Sequence, residues 1–288
     1  VLVDLHTHST ASDGTLSPGE VVRAAAEAGL TTFALTDHDT FRGWDGAVDA
    51  AREYGVGLVR GIEISCVDAR ISIHLLGYLP DPTMPELVAE LDRTRTSRTT
   101  RMERMVALMA ADGIPVTMAD VMAQTDEESS TTVGRPHLAD ALVAKGLAPD
   151  RTAAFERFLG RGSPYYVRHY ALDAVYAVRL IRAAGGVPVM AHPFAESRGR
   201  VVADPVIERL VAAGLAGLEA DHPDHTPDQT AHARELAERF DLLVTGSSDF
   251  HGAGKPNRLA ERTTSPDVLE ALLAQATSGL EVVGPAAP

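Results

Sequence analysis

The sequence predicts an α/β fold with a parallel sheet, either open or closed into a barrel. Three observations carry this reading. Short apolar runs alternate with amphipathic helical stretches, the rhythm of repeated βα units. Histidines and carboxylates recur at the ends of those runs, where parallel strands share one rim. A stretch from about 85 to 172 keeps helical periodicity without a convincing strand, which marks a helical insertion.

The elements follow in order. Val1 to Leu5 is a strand, and Pro18 to Ala28 a helix with Ser17 as N-cap, Glu20 three residues on, and Gly29 as its stop. Thr31 to Thr36 is the second strand, followed by a helix from Gly43 to Tyr54. Val56 to Ser65 and Ile71 to Tyr78 are the third and fourth strands. In the insertion, Leu87, Val88 and Leu91, then Met102, Met105, Val106 and Met109, mark one long helix ending at Gly113. Shorter helices span Thr117 to Gln124, Arg135 to Lys145, and Asp150 to Leu159. Val187 to Ala191, Ala216 to Glu219 and Leu242 to Thr245 complete the strands. The expected division is 1–84 with 173–288 for the α/β part and 85–172 for the insertion.

Composition bounds the partners. A chain of 288 residues, 45% apolar and 23% charged, builds a self-supporting core. No apolar run approaches the roughly 18 residues of a membrane span. The start, Val1-Leu2-Val3-Asp4, lacks the pattern of a secretory signal, so a cytoplasmic location is expected. Cys66 is the lone cysteine, which excludes an internal disulfide and any cysteine-built metal cluster. Basic residues number 26 against 40 acidic, a net charge of −14 that argues against duplex DNA. No membrane and no obligate protein partner are expected. The two lysines, Lys145 and Lys255, lie outside any phosphate-cradling P-loop, which argues against a kinase or nucleotide-driven motor.

Eleven histidines are placed in a telling way. His6 and His8 follow the first strand, and residues two apart in an extended segment point the same way. Asp13 lies in the loop beyond them, and His38 follows the second strand. Glu63 ends the third, His74 lies in the fourth, His192 follows Ala191, and Asp249 with His251 follows the last. A single His-x-His or Ser-Asp-Gly is commonly incidental; recurrence at successive strand ends is not. These nine donors exceed what one ion needs and imply two or three divalent ions, with Mn, Zn and Fe all suiting imidazole and carboxylate. Asp37 and Asp39 are read as caps of the next helix or braces for His38.

The pieces His6-Thr7-His8-Ser9, Ser12-Asp13-Gly14, Thr36-Asp37-His38-Asp39, Gly61-Ile62-Glu63, Ala191-His192-Pro193 and Ser247-Ser248-Asp249-Phe250-His251-Gly252 resemble the PHP (polymerase and histidinol phosphatase) superfamily. In the insertion, Gly134-Arg135-Pro136-His137 and Phe158-Leu159-Gly160 resemble a bacterial subgroup of metal-dependent phosphoesterases. That subgroup includes phosphatases of nucleoside 3′,5′-bisphosphates or AMP, and 5′-3′ exoribonucleases. The resemblance implies a distorted (β/α)7 barrel whose helical insertion forms part of the substrate site. It implies a first ion on His6, His8, Glu63 and Asp249, and a second on Glu63, His74 and His192. Asp13, His38 and His251 would hold a third; some relatives carry histidine where this chain has Asp13.

The implied reaction is hydrolysis of nucleotide phosphate monoesters by metal-hydroxide attack at phosphorus, with Glu63 and Asp249 on the metal side. Three divalent ions against the carboxylates of Asp13, Glu63 and Asp249 leave a positive excess that suits a phosphate dianion. His222, just beyond the Ala216 to Glu219 strand, is the candidate general acid or phosphate contact. Arg135 and His137, at the start of an insertion helix, are substrate-binding candidates, joined by His169, Lys255 and Arg258. The row Arg93, Arg95, Arg98, Arg101 and Arg104 reads as a solvated helix face rather than an RNA track. Alternatives are a 5′-3′ exoribonuclease on short RNA, a histidinol-phosphate phosphatase, and a non-catalytic binding protein stabilised by metal. An amidohydrolase also uses His-x-His, but the bridging position here is Glu63 and neither lysine follows a core strand suitably.

Overall fold

The computed structural model describes residues 1–125 and 131–284. The first half runs β1 (Val3–Thr7), α1 (Pro18–Glu27), β2 (Thr32–Leu35), α2 (Trp44–Tyr54), β3 (Gly57–Asp68) and β4 (Ile71–Tyr78). Next come α3 (Pro85–Ala111), α4 (Met118–Met122), α5 (Arg135–Ala144) and α6 (Arg151–Ala154), the last continued by a π turn over Phe155–Leu159. The chain returns through β5 (Leu172–Asp173), α7 (Ala174–Ala183), β6 (Val187–Met190), α8 (Asp204–Ala213), β7 (Gly217–Asp221), α9 (Pro227–Arg239), β8 (Leu243–Gly246) and α10 (Pro266–Leu273). Among the described residues, no helix is long and apolar enough to cross a membrane.

The sheet is a nearly closed barrel with strand order β1-β2-β3-β4-β6-β7-β8. Its two ends meet where Thr7 bridges Phe250 and the His8 N–H donates to the Phe250 carbonyl at 2.9 Å. One sequence expectation is corrected here. The sheet is not parallel throughout: β4 runs antiparallel to both β3 and β6. The cause is local, because only Ala69 and Arg70 separate β3 from β4. A parallel return needs a crossover of a dozen or more residues, whereas two suffice for a hairpin. Ala69 takes φ 51° to make that turn. The hairpin also carries β3 past Ser65 to Asp68. A second correction is β5, a two-residue strand at the end of the stretch read as strand-free, where Leu172 pairs with Cys66.

Cap chemistry fixes the helix starts. Ser17 and Glu20 form the reciprocal capping box of α1, and Thr117 with Asp120 does the same for α4. Buried apolar residues form distinct clusters. Ile62, Ile64 and Leu75 pack under α7, α8 and α9, while Phe33, Leu35 and Leu58 pack under α1 and α2. Met102, Met105, Met109, Leu138, Leu142 and Phe158 form a separate core drawn wholly from residues 102–167. Leu75 is fully buried, so Leu75→Ala should lower unfolding free energy by about 2–5 kcal/mol in urea denaturation.

Candidate metal centre

The barrel brings all nine sequence-predicted donors into one cluster. His6 and His8 leave β1 on the same side, with their Nε2 atoms 3.0 Å apart. Glu63 Oε2 lies 3.2 Å from His6 Nε2 and 3.1 Å from His8 Nε2, and Asp249 Oδ1 lies 3.4 and 3.3 Å from the same atoms. Glu63 Oε1 faces His74 Nδ1 at 2.7 Å and His192 Nε2 at 3.2 Å. Asp13 lies 3.2 Å from His251 Nε2 and 3.8 Å from His38 Nε2. His74 reaches the centre from the antiparallel β4, so it does not stand at a strand end with the others.

These residues fit a group of divalent ions. Asp13 Oδ1, His38 Nδ1, His74 Nδ1, Asp249 Oδ1 and His251 Nε2 are buried without a hydrogen-bond partner, although other donor atoms stand close by. Unpartnered buried polar atoms are costly, and several converging on one space mark a cation site. Three sets have ligand atoms within 4.8 Å of one another: His8, Asp13, His38 and His251; His6, His8 and Glu63; His38, Glu63 and His74. His8, His38 and Glu63 are thus each shared between two sets. His38 Nδ1 lies 3.2 Å from Glu63 Oε2, nearer than its other nitrogen lies to Asp13.

The field inside the cluster is strong. Burial works to raise the Glu63 carboxyl, but the imidazoles of His38, His74 and His6 outweigh it and hold the group well below the ordinary carboxylate range. Burial likewise opposes ionisation of Asp249, and the cations Lys255 and Arg198 overcome it. Both carboxylates are therefore ionised and ready to bind cations. Burial drives His192 well down and His251 down to about 4, so these rings are neutral, as metal ligation requires.

Residues 4–127 match the model of the PHP domain. The chain is 35% identical over 256 residues to the 3′,5′-nucleoside bisphosphate phosphatase of Chromobacterium violaceum, covering 89% of each chain. The chain belongs to the PHP family. It is 37% identical over 248 residues to a 5′-3′ exoribonuclease of Haemophilus influenzae, covering 86% of this chain and 89% of that one. A crystal structure from Bifidobacterium adolescentis, assigned as a metal-dependent phosphoesterase, superposes with a TM-score of 0.93 at 39% identity over 96% of each chain. This PHP protein is a metal-dependent phosphoesterase, a hydrolase of phosphate esters.

Around the PHP centre stand residues that sequence reasoning missed. Glu219, fully buried on β7, accepts from His6 Nδ1 at 2.9 Å and from the His192 N–H at 2.8 Å, and Ser247 Oγ also donates to it. It orients His6 through Nδ1 and turns Nε2 toward His8, Glu63 and Asp249. The visible signal was a carboxylate in a buried strand that offers no ligand of its own. Arg198 bonds Asp249 Oδ2 and Asp224, in company with Lys255 Nζ on Asp249 Oδ2 at 2.7 Å. Nothing in Glu196-Ser197-Arg198-Gly199 distinguishes that arginine from a surface one. His192, Asp249 and Asp39 hold φ of 32°, 53° and 54°. Left-handed backbone at such residues costs on the order of 1–3 kcal/mol each, and the surrounding structure holds it.

Asp37 and Asp39 cap no helix. Asp37 receives the Ser9 N–H, Ser9 Oγ and Ser12 Oγ, which shapes the loop after His8. Asp39 receives Ser65 and the Arg98 Nε at 2.8 Å.

The structure places the predicted substrate residues unequally. His222 is buried, and its Nδ1 accepts the Asp224 N–H at 3.0 Å, a contact that selects the tautomer with hydrogen on Nε2. That unpartnered nitrogen stands 3.5 Å from Asp249 Oδ2. Lys255 reaches the centre directly. His137 is buried, with its Nδ1 accepting the Gly134 N–H at 3.0 Å as part of the α5 cap. Arg258 is exposed, its main-chain N–H bonded to Glu261, and nothing ties its guanidinium to the cluster.

Arg135 is half-buried, donates to the Leu159 carbonyl at 3.0 Å, and stacks against Phe155 and Tyr166. The solvated-face reading of the arginine row is overturned for its middle members. Arg93 and Arg104 are exposed, but Arg98 points inward to Asp39 and Ser65, and Arg101 is only 4% exposed. The reason was in the spacing: Leu91, Thr94, Arg98, Arg101 and Met105 fall on one helical stripe.

Elemental analysis of Glu219→Gln should show metal affinity lowered about 10–100-fold with the fold retained, as for other groups that orient a metal-binding histidine.

Proposed function

We propose that this phosphoesterase acts on nucleotides carrying two phosphates, as in a nucleoside 3′,5′-bisphosphate, removing one while the insertion holds the other. The observation that carries this is the Arg101 guanidinium, buried with Nε and Nη2 unpartnered. Burial, then neighbouring Arg135, pull Arg101 down to about 9. Burial, followed by Arg98, Arg101 and Arg135, drives His169 well below the ordinary imidazole range. A desolvated group of like charges with free donors calls for an anion, and a phosphate accepts from guanidinium bidentately. Arg98, next to Arg101 on the same stripe of α3, donates to Ser65, which pairs with His74 across the β3–β4 hairpin, and this supports a basic group close to the clustered donors. The bisphosphate phosphatase of Chromobacterium violaceum, similar over nearly the whole chain, supports the same substrate class.

We read the donors as holding two or three ions from among Mn, Zn and Fe. His6, His8, Glu63 and Asp249 would hold one, Glu63, His74 and His192 another, and Asp13, His38 and His251 a third. Bound there, the ions supply charge neutralisation at the phosphoryl oxygens and a hydroxide nucleophile near neutral pH. The chain's own residues do the rest. Arg135, Arg101 and His169 hold the remote phosphate, and Tyr166 flanks both arginines. His137 sets the start of α5 and so the placement of Arg135. Lys255 and Arg198 balance Asp249 on Oδ2 and leave Oδ1 to the ions. As the ester P–O bond breaks, the leaving oxygen takes the proton of His222 Nε2.

His222→Ala should slow esters of poor leaving groups most, in a series of aryl and alkyl phosphates; equal loss across the series would end the acid role. Arg101→Ala should raise KM for a nucleoside 3′,5′-bisphosphate by about 10-fold or more, the worth of a charged hydrogen bond, and more than for nitrophenyl phosphate. A 5′-phosphorylated oligonucleotide turned over faster than the bisphosphate would instead favour RNA as substrate, in line with the relative from Haemophilus influenzae.

A further inference from the structure

One phosphate among the arginines of the insertion and another at the barrel rim require a fixed spacing between the two. Hydrogen bonds from several points of the insertion tie it to the rim. On one side Arg95 and Arg98 of α3 bond Asp39, and between them and α5 the Thr132 N–H donates to the Ala11 carbonyl at 2.9 Å. On the side of the β8 loop the attachment is Arg151, at the start of α6. Its Nε and Nη2 donate to the two carboxylate oxygens of Asp140 on α5, each at 2.5 Å, and its Nη1 donates to the Gly254 carbonyl at 3.1 Å.

Both ends of this clamp lead directly to site residues. Asp140 stands on the helix whose first turn carries Arg135 and His137. Gly254 lies between His251, a predicted ligand, and Lys255, whose Nζ touches Asp249. The glycine is itself informative. A Cβ at position 254 would stand 2.2 Å from Arg151 Nη1 and 3.1 Å from its Cζ, so a side chain there would displace the guanidinium. A bidentate arginine–carboxylate pair fixes direction as well as distance. Displacing a positioned group by about 1 Å can cost on the order of 100-fold in rate.

We propose that Arg151 is a positioning residue that sets the distance between the insertion's arginine pocket and the metal centre, and thereby the preference for a substrate with two phosphates. The proposal rests on the substrate reading above. It is tested by steady-state kinetics of the metal-loaded full chain on adenosine 3′,5′-bisphosphate and on nitrophenyl phosphate. The variants are Arg151→Met, Arg151→Lys and Gly254→Ala, with Arg101→Ala as the reference for the pocket. Arg151→Met and Gly254→Ala should each raise KM for the bisphosphate about 10-fold while nitrophenyl phosphate stays within about 2-fold, and Arg151→Lys should recover part of the loss. Loss on both substrates alike, or on neither, overturns the positioning role when Arg101→Ala does separate them. If Arg101→Ala fails to separate the substrates, the two-phosphate reading falls and this proposal falls with it. Gly254→Ala keeps every charge, so agreement between it and Arg151→Met excludes a mere loss of net charge.

Discussion

Taking the Glu63 carboxylate out of water costs several kcal/mol unless opposite charge or donors surround it. In this barrel it is 1% exposed and ringed by His6, His8, His38, His74 and His192. Those rings come from four separate stretches of chain, so the barrel must close for the anion to be compensated. The dependence runs the other way too. Asp13 Oδ1, His38 Nδ1 and His74 Nδ1 stand in the cluster buried and without a hydrogen-bond partner, a set of donors that suits cations. Fold and chemistry are thus tied through one buried charge.

The charges around Asp249 follow the same logic at the opening of the centre. Its Oδ2 takes Arg198 and Lys255 while its Oδ1 faces the histidines. Glu219 does for His6 what Arg198 does for Asp249, orienting a ligand through its far side. The left-handed backbone at His192 and Asp249 is held by these contacts, since the Glu219 carboxylate receives the His192 N–H. A centre built this way is arranged before substrate arrives, and the reaction need not reorganise it.

Much of this was legible in the chain. The capping box of α1, the strand ends, the helical character of residues 85–172 and the convergence of nine donors follow from periodicity and residue type, which act locally. The PHP resemblance added the barrel closure. What stayed hidden depended on packing direction or on distant partners. Arg98 and Arg101 carry charge, and charge in a helix row suggests solvent; only their register with Leu91 and Met105 shows that they turn inward. Glu219 and Arg198 act through atoms some 30 to 200 residues away along the chain, which no local pattern records. The antiparallel β4 was readable from its two-residue link to β3, a constraint that outweighs the parallel rhythm elsewhere.

The separate apolar core of residues 102–167 has an evolutionary consequence. On the substrate reading proposed above, substitutions there reshape what the enzyme grips without repacking the strands that carry the clustered donors. Ancestral chemistry and molecular taste can therefore drift at different speeds within a single gene, with the hydrolytic machinery inherited intact while the preferred molecule is rewritten.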